Sequence, residues 1–245
     1  MKTMVIGLFV LLGILRPAAA DMTEAVLVPF VAEYDVRYGS MVVGTSRTEL
    51  SRSSPPGRWI IQSSSTASGF ARIIASGTLV QRSAFELVPD GLRPLSYSFD
   101  DGTKRTGRDV RLEFDWRANK VRGTAEDEPI EIEASAGLQD AASMQALVLA
   151  RLRSGAEPGT ISMIEKDRIK QYRYALLRRE RLKTAIGEFE TVVYRSARDG
   201  SDRETISWFA PELGYAVVRA EQRIEGRKRG FQTLIRRFQP GGQVP

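Results

Sequence analysis

The sequence predicts a mainly β protein: a large antiparallel curved sheet or half-open barrel with one amphipathic helix at about residues 140–153. Three observations lead there. Apolar and polar residues alternate with a period of two along most of the chain, as in half-buried strands. Turn signatures recur roughly every eight to twelve residues, a spacing typical of barrels and sandwiches. One segment alone replaces the alternation with convincing helical spacing.

Residues 30–38 set Phe30, Ala32, Tyr34, Val36 and Tyr38 on one side and Glu33, Asp35 and Arg37 on the other. Gly39-Ser40 turns the chain into a second strand over residues 41–50. Ser53-Ser54-Pro55-Pro56-Gly57 is a loop signal, and a strand follows over residues 59–66. Residues 70–80 admit two readings, a short helix or a bent strand. Phe70, Ile73 and Ile74 fit helical spacing, yet Gly69 and Gly77 bound the segment closely. Residues 85–88 run into Pro89-Asp90-Gly91, where Pro presets φ and Gly permits a positive one. A strand over residues 92–99 ends at the hairpin signal Asp100-Asp101-Gly102. Its partner alternates Val110, Leu112, Phe114 and Trp116 with Arg111, Glu113 and Asp115; short strands at 121–124 and 130–133 follow.

The helix then begins at Asp140, a residue suited to accept hydrogen bonds from free backbone N–H groups. Met144, Leu147, Val148 and Leu152 form its apolar stripe, and Arg151 and Arg153 complement the negative end of its dipole. Gly155 and Pro158-Gly159 end it. Strand patterns resume at residues 171–177 and 180–186, bend at Gly187, and continue through Phe189, Thr191 and Val193. Asp199-Gly200 leads to residues 204–209, and Ala210-Pro211-Glu212-Leu213-Gly214 reverses the chain before strands at 215–224 and 231–238. The expected organisation is a signal peptide (1–20), a single β-rich domain (21–239) and a disordered tail (240–245), since neither half looks able to close its own sheet.

The first segment reads as an export signal. Met1-Lys2 precedes an apolar run of about 12 residues, too short for the roughly 20 that cross a bilayer. Ala18-Ala19-Ala20 then supplies a small-residue cleavage site. Cleavage after Ala20 leaves no transmembrane anchor. The chain has no cysteine and no histidine. Ser-His-Asp triads, thiol nucleophiles, His- or Cys-based zinc sites and a thiol-linked lipid anchor are therefore excluded. Neither a phosphate-binding glycine loop nor a G-x-S-x-G elbow occurs, and no cofactor is expected.

The net charge is +6, but residues 21–150 hold 14 Lys and Arg against 18 Asp and Glu, and residues 151–245 hold 20 against 12. A basic half of this kind can face anionic lipid, cell-wall polymer or nucleic acid. Its cations are mostly Arg scattered along strand-like segments, which reads as a solvated sheet face, and export argues against nucleic acid.

Carboxylates are what remains for acid–base chemistry. Asp100-Asp101 could be a catalytic or cation-binding pair, although a hairpin turn favours Asp for local reasons. Glu126-Asp127-Glu128 with Glu131 and Glu133 could offer oxygen ligands to Ca²⁺, but without EF-hand spacing. Arg178-Arg179-Glu180-Arg181 could meet a phosphate or a lipid headgroup. In each case the bland alternative, a turn or a solvated face, is favoured, and no metal is assigned. Trp208 and Phe209 are either core beside a corner or the mouth of a cavity.

Five local patterns carry a resemblance. They are Tyr34-x-Val36-x-Tyr38-Gly39 with Val43-Gly44, Asp90-Gly91-Leu92-Arg93-Pro94-Leu95-Ser96-Tyr97, and the helix from Asp140 through Ser143 to Arg153. Thr184-x-x-Gly187-x-Phe189-x-Thr191 and Trp208-Phe209-Ala210-Pro211-Glu212-Leu213-Gly214-Tyr215 complete the set. In this order they resemble the bacterial exported family called domain of unknown function 3108. The resemblance implies a periplasmic, mostly antiparallel protein, similar at fold level to the half-open barrels of lipoprotein carriers. It supplies no catalytic residues.

The leading expectation is a non-enzymatic periplasmic binding or carrier protein for an apolar or amphipathic ligand such as a lipid. Its candidate ligand-binding residues are Phe70, Ile74, Tyr97, Met144, Val148, Trp208 and Phe209. The alternatives are an envelope scaffold that contacts another protein, and, third, a carboxylate-dependent hydrolase.

Overall fold

A computed structural model describes residues 26–69, 77–103, 107–227 and 230–241. The signal peptide, Phe70, Ile73 and Ile74, and residues 242–245 of the tail lie outside these. Eight strands come first: β1 (Phe30–Tyr38), β2 (Met41–Ser53), β3 (Arg58–Ala67), β4 (Thr78–Val88), β5 (Gly91–Asp100), β6 (Val110–Asp115), β7 (Lys120–Ala125) and β8 (Glu128–Glu133). Helix α1 (Ser143–Arg153) interrupts them. Six more follow: β9 (Thr160–Glu165), β10 (Arg168–Thr184), β11 (Gly187–Arg198), β12 (Arg203–Ala210), β13 (Ala216–Ile224) and β14 (Phe231–Pro240).

All 14 strands form one antiparallel sheet in the order β8-β7-β6-β5-β4-β3-β2-β1-β14-β13-β12-β11-β10-β9. The first strand pairs with the last, Tyr38 opposite Phe231 and Phe30 opposite Pro240. That pairing joins the two halves of the chain into one curved surface, not closed into a barrel. The two edges, β8 and β9, are consecutive in sequence and joined by the segment that carries α1. The helix thus reaches the inner face from the open side, where it packs on β4 and β5.

The predicted strands are present, most with small changes of boundary; β4 starts at Thr78, seven residues before the expected strand at 85–88. Two differences have a physical cause. Residues 171–177 and 180–184 belong to one strand, the 17-residue β10, with a bulge between Leu176 and Arg178, and residues 185 and 186 form the turn after it. An extra residue there flips the side-chain phase, so a single strand looks like two separate ones. The edge strand β9 is short and continues into β10 through a tight turn, which masked its own alternation.

The buried centre lies where Leu50, Trp59, Phe85 and Leu112 of the sheet meet Ala146 and Leu147 of α1. The reversal after β12 fits against the far end of the helix. Gly214 closes it at φ 64°, and a Cβ there would lie 2.3 Å from the guanidinium of Arg153. A side chain at 214 would be strained by the left-handed backbone and would push the Arg153 side chain aside.

One carboxylate fixes the near end. Asp140 is fully buried, and its Oδ1 accepts the backbone N–H groups of Ala142 and Ser143, each at 2.8 Å. The Ser143 hydroxyl oxygen in turn accepts the Asp140 N–H at 3.0 Å, a reciprocal capping box. Asp140 Oδ2 accepts the Ser83 hydroxyl of β4 at 2.7 Å. The same group therefore starts the helix and pins it to the sheet. Beside it, Gln139 donates its amide to the Leu92 carbonyl at 2.9 Å. Its backbone pairs with β9, through Gln139 N–H to Ser162 O at 2.9 Å and Ile164 N–H to Gln139 O at 2.8 Å. This strap covers part of the β9 edge. The β8 edge carries Pro129 between exposed carboxylates, Glu128, Glu131 and Glu133.

Burial pushes the Asp140 carboxyl up to about 6, and hydrogen bonds from Ser143, Ser83 and Ala142 pull it back down. Its unfolded value lies near 4. Between these values the folded protein holds a proton that the unfolded chain releases, so stability falls as pH rises from about 4 to about 6 and stays lower above. Urea unfolding from pH 4 to 7 should show this slope, and Asp140→Asn, which keeps an acceptor for the helix N–H groups, should abolish it. Asp140→Ala should cost about 1–2 kcal/mol for the lost cap, together with further loss from the stranded Ser83 hydroxyl.

Candidate functional site

The inner face of the sheet and the underside of α1 enclose a cavity of about 390 Å³, within the range of small-molecule sites. Its lining changes character along the strands. Next to the helix it is apolar: Met144, Val148 and Leu149 of α1 face Phe30, Ile61 and Phe209 of the sheet. Farther along the same strands it becomes hydroxylic. Ser46 and Thr48 of β2 and Ser63 and Ser65 of β3 make one wall, and Thr205 and Ser207 of β12 with Thr233 of β14 make the other.

Register explains the first wall. Leu50 sits opposite Ile61, Thr48 opposite Ser63, and Ser46 opposite Ser65, so each inward row changes from apolar to hydroxyl at the same depth. The alternate residues face outward, where Arg47 pairs with Glu49 at 2.9 Å. Within the wall, Ser65 donates to the Ser46 hydroxyl at 3.0 Å, Ser46 donates to the Ser64 carbonyl at 3.1 Å, and the Thr48 and Ser63 hydroxyls lie 3.0 Å apart. Tyr34, Tyr172 and Tyr174 add three phenols. Burial pushes the Tyr174 phenol up to about 12 despite a hydrogen bond with Ser196, and burial raises Tyr34 further. Both stay neutral at any physiological pH.

A second, mainly apolar hollow of about 390 Å³ lies on the other side of Phe30 and Leu149, bounded by Leu27, Leu213 and Phe238. A larger depression of about 600 Å³ lies at the ends of β12–β14. It is lined by charges of both signs that already pair with one another, Arg195 with Glu204 and Arg223 with Glu221.

Of the sequence-predicted ligand residues, the structure brings Met144, Val148 and Phe209 together in the cavity. It does not bring Tyr97 or Trp208 there. Tyr97 lies opposite Ser83 in the β4–β5 pairing, where burial, and after it the nearby Asp140 charge, raises its phenol. Trp208 points from the opposite face of β12, because successive strand residues face opposite ways. There the guanidinium groups of Arg219 and Arg178 lie 4.7 and 5.8 Å from its ring centroid, and its indole N–H donates to Glu180. Phe70 and Ile74 lie outside the described residues.

The acidic candidates find local partners. Asp100 and Asp101 accept the backbone N–H groups of Gly102 and Thr103, at 2.7 and 2.9 Å. Glu131 bridges Lys120 and Arg122, and Glu126 pairs with Lys166 at 2.6 Å. In the basic run, Arg178 binds Glu180 and Arg181 binds Glu190.

Sequence reasoning missed the hydroxyl walls. Their signal was present as Ser46-Arg47-Thr48-Glu49-Leu50, in which small hydroxyl residues share a phase with a core leucine and the charges take the other.

The class this geometry defines is an open antiparallel β shell that holds a helix over an internal cavity. The chain belongs to the family described as protein of unknown function DUF3108, whose model matches residues 33–226. No curated protein matches the sequence. Among solved structures, a β-barrel-like protein of domain DUF1849 from Brucella abortus has a TM-score of 0.54 at 10% identity, covering 87% of this chain and 98% of its own. A protein from Parabacteroides distasonis, provisionally described as a lipoprotein, reaches 0.39 at 9% identity over 87% and 96%. A domain from Vibrio parahaemolyticus, provisionally described as an outer membrane lipoprotein-sorting protein, reaches 0.25 at 7% identity over 89% and 87%. Of the three, the first alone superposes closely enough to share the fold, and at 10% identity it speaks for the fold and not for an activity.

Placing Trp208 and Phe209 on opposite faces separates their roles. Trp208→Ala should lower unfolding stability by about 3–5 kcal/mol, while the purified folded variant keeps the affinity of the cavity for an apolar dye. Phe209→Ala should change that affinity.

Proposed function

We propose that this is an exported, periplasmic binding or carrier protein that holds an apolar or amphipathic ligand in the cavity beneath α1. The observation that carries this reading is the apolar floor formed by Met144, Val148, Phe30, Ile61 and Phe209 within a sheet that stays open. A core whose purpose was stability alone would fill such space with side chains. The signal-like first 20 residues and the likeness to an exported family support the location. No described helix is long and apolar enough to cross a membrane. The hydrolase alternative requires two carboxylates that converge on one site; Asp100, Asp101 and Asp109 do converge, but outside the cavity, whose lining offers none.

Native mass spectrometry of protein purified from its own cell envelope should show a co-purifying amphiphile. The dye N-phenyl-1-naphthylamine should brighten on the stripped protein, and Val148→Trp, which fills the floor, should weaken that binding by about tenfold or more. Absence of both amphiphile and dye binding would discard the proposal.

A second reading, an envelope interaction module, draws on one feature. Met41, Val42 and Phe231 are large, apolar and exposed, and cluster beside Tyr38 at the strand ends farthest from α1. Crosslinking in cells should then capture one recurrent partner that Met41→Ser with Phe231→Ser loses, with cavity binding intact.

A further inference from the structure

Charge is distributed across this sheet with a one-sidedness that composition does not require. Charged residues make up 27% of the chain. Yet the cavity is lined by hydroxyls, amides and hydrocarbon, with no Asp, Glu, Lys or Arg among its described lining residues. The period of two sends each charge outward. Arg47 and Glu49 flank the inward Thr48, Arg82 flanks the inward Gln81, and Glu204 flanks the inward Thr205. Outside, these groups find partners: Arg47 with Glu49, Arg195 with Glu204, and Arg82 with Gln62 at 3.1 Å. None of these cations turns inward to greet an anion.

A site built for a phosphate or carboxylate headgroup presents guanidinium, ammonium or a cluster of backbone N–H groups, because burying an anion without them is costly. The cavity has none of these cations. It also differs from a site for hydrocarbon alone. The Ser46–Ser65 and Thr48–Ser63 pairs, with Thr205 and Ser207 opposite, would be sealed from water by an alkyl chain without gaining a new partner. Hydroxyls act as donor or acceptor by rotation, so this wall suits uncharged oxygen functions such as ester carbonyls and alcohols.

We infer that the ligand is a neutral amphiphile, with its hydrocarbon against α1 and its uncharged, oxygen-bearing portion between the serine and threonine walls of β2, β3 and β12. This rests on the cavity being a ligand site, as proposed above. Tyr34 and Tyr174, held neutral by burial, keep the lining free of charge across the working pH range.

The test compares amphiphiles that share one acyl chain. Full-length processed protein, stripped of bound lipid, is titrated at pH 8 with 1-monooleoylglycerol and with oleate, by displacement of N-phenyl-1-naphthylamine and by native mass spectrometry. Monooleoylglycerol should bind at least about tenfold more tightly than oleate, since only oleate brings an unpaired charge into the wall. Ser207→Lys, with its fold checked by circular dichroism, should reverse that order. Oleate binding as tightly as monooleoylglycerol to the unmodified protein would overturn the inference and leave the carrier reading standing. Binding of the dye and of neither lipid would also overturn it. If dye and lipids all fail to bind, the carrier reading falls and takes the inference with it. Should Ser207→Lys not fold, the comparison on the unmodified protein decides alone.

Discussion

The buried carboxylate of Asp140 is the constraint on which the rest of the structure depends. An open sheet of this size cannot bury its inner face without a cover, and the cover here is a single helix of 11 residues. Isolated helices of that length are marginal in water. Asp140 supplies both things α1 lacks, acceptors for its first N–H groups and an anchor on β4 through Ser83. The cost is a carboxyl group with no cation beside it, satisfied wholly by hydrogen bonds. Its position also sets the depth of the cavity, because Ala141 and Met144 follow directly from the anchored turn and become part of the lining.

Much of this was legible in the sequence for one reason: in an antiparallel sheet each strand writes its own alternation. β1 is readable to its ends, and β6 and β12 nearly so. The helix stripe named Met144 and Val148 as inward residues, and Phe209 was within reach by the same logic. What the alternation hid were its own phase changes. The bulge in β10 split one strand into two, and in β12 two aromatic neighbours, Trp208 and Phe209, tempt one to count both as lining. Adjacent strand residues oppose each other, so that pair could never share a wall.

The hydroxyl lining was obscured for a different reason. Serine and threonine read as solvent-facing when they sit among arginines and glutamates, as in β2. Their phase, not their polarity, carries the information. Thr48 keeps step with Leu50, and Ser63 with Ile61, so each belongs to the inner face by register with a buried neighbour. Which oxygens converge across the gap from β12 and β14 depends on the curvature of the sheet, which no local pattern records.

The free margin of β8 has a consequence for how this protein behaves among its own copies. A sheet that stops short of closure leaves a row of unpaired amides and carbonyls at its border, an invitation for a like molecule to add its own strand. Pro129 removes one donor from that border, and the glutamates around it set like charges against any approaching twin. The molecule can therefore keep its shell open without zipping into ribbons at high protein concentration.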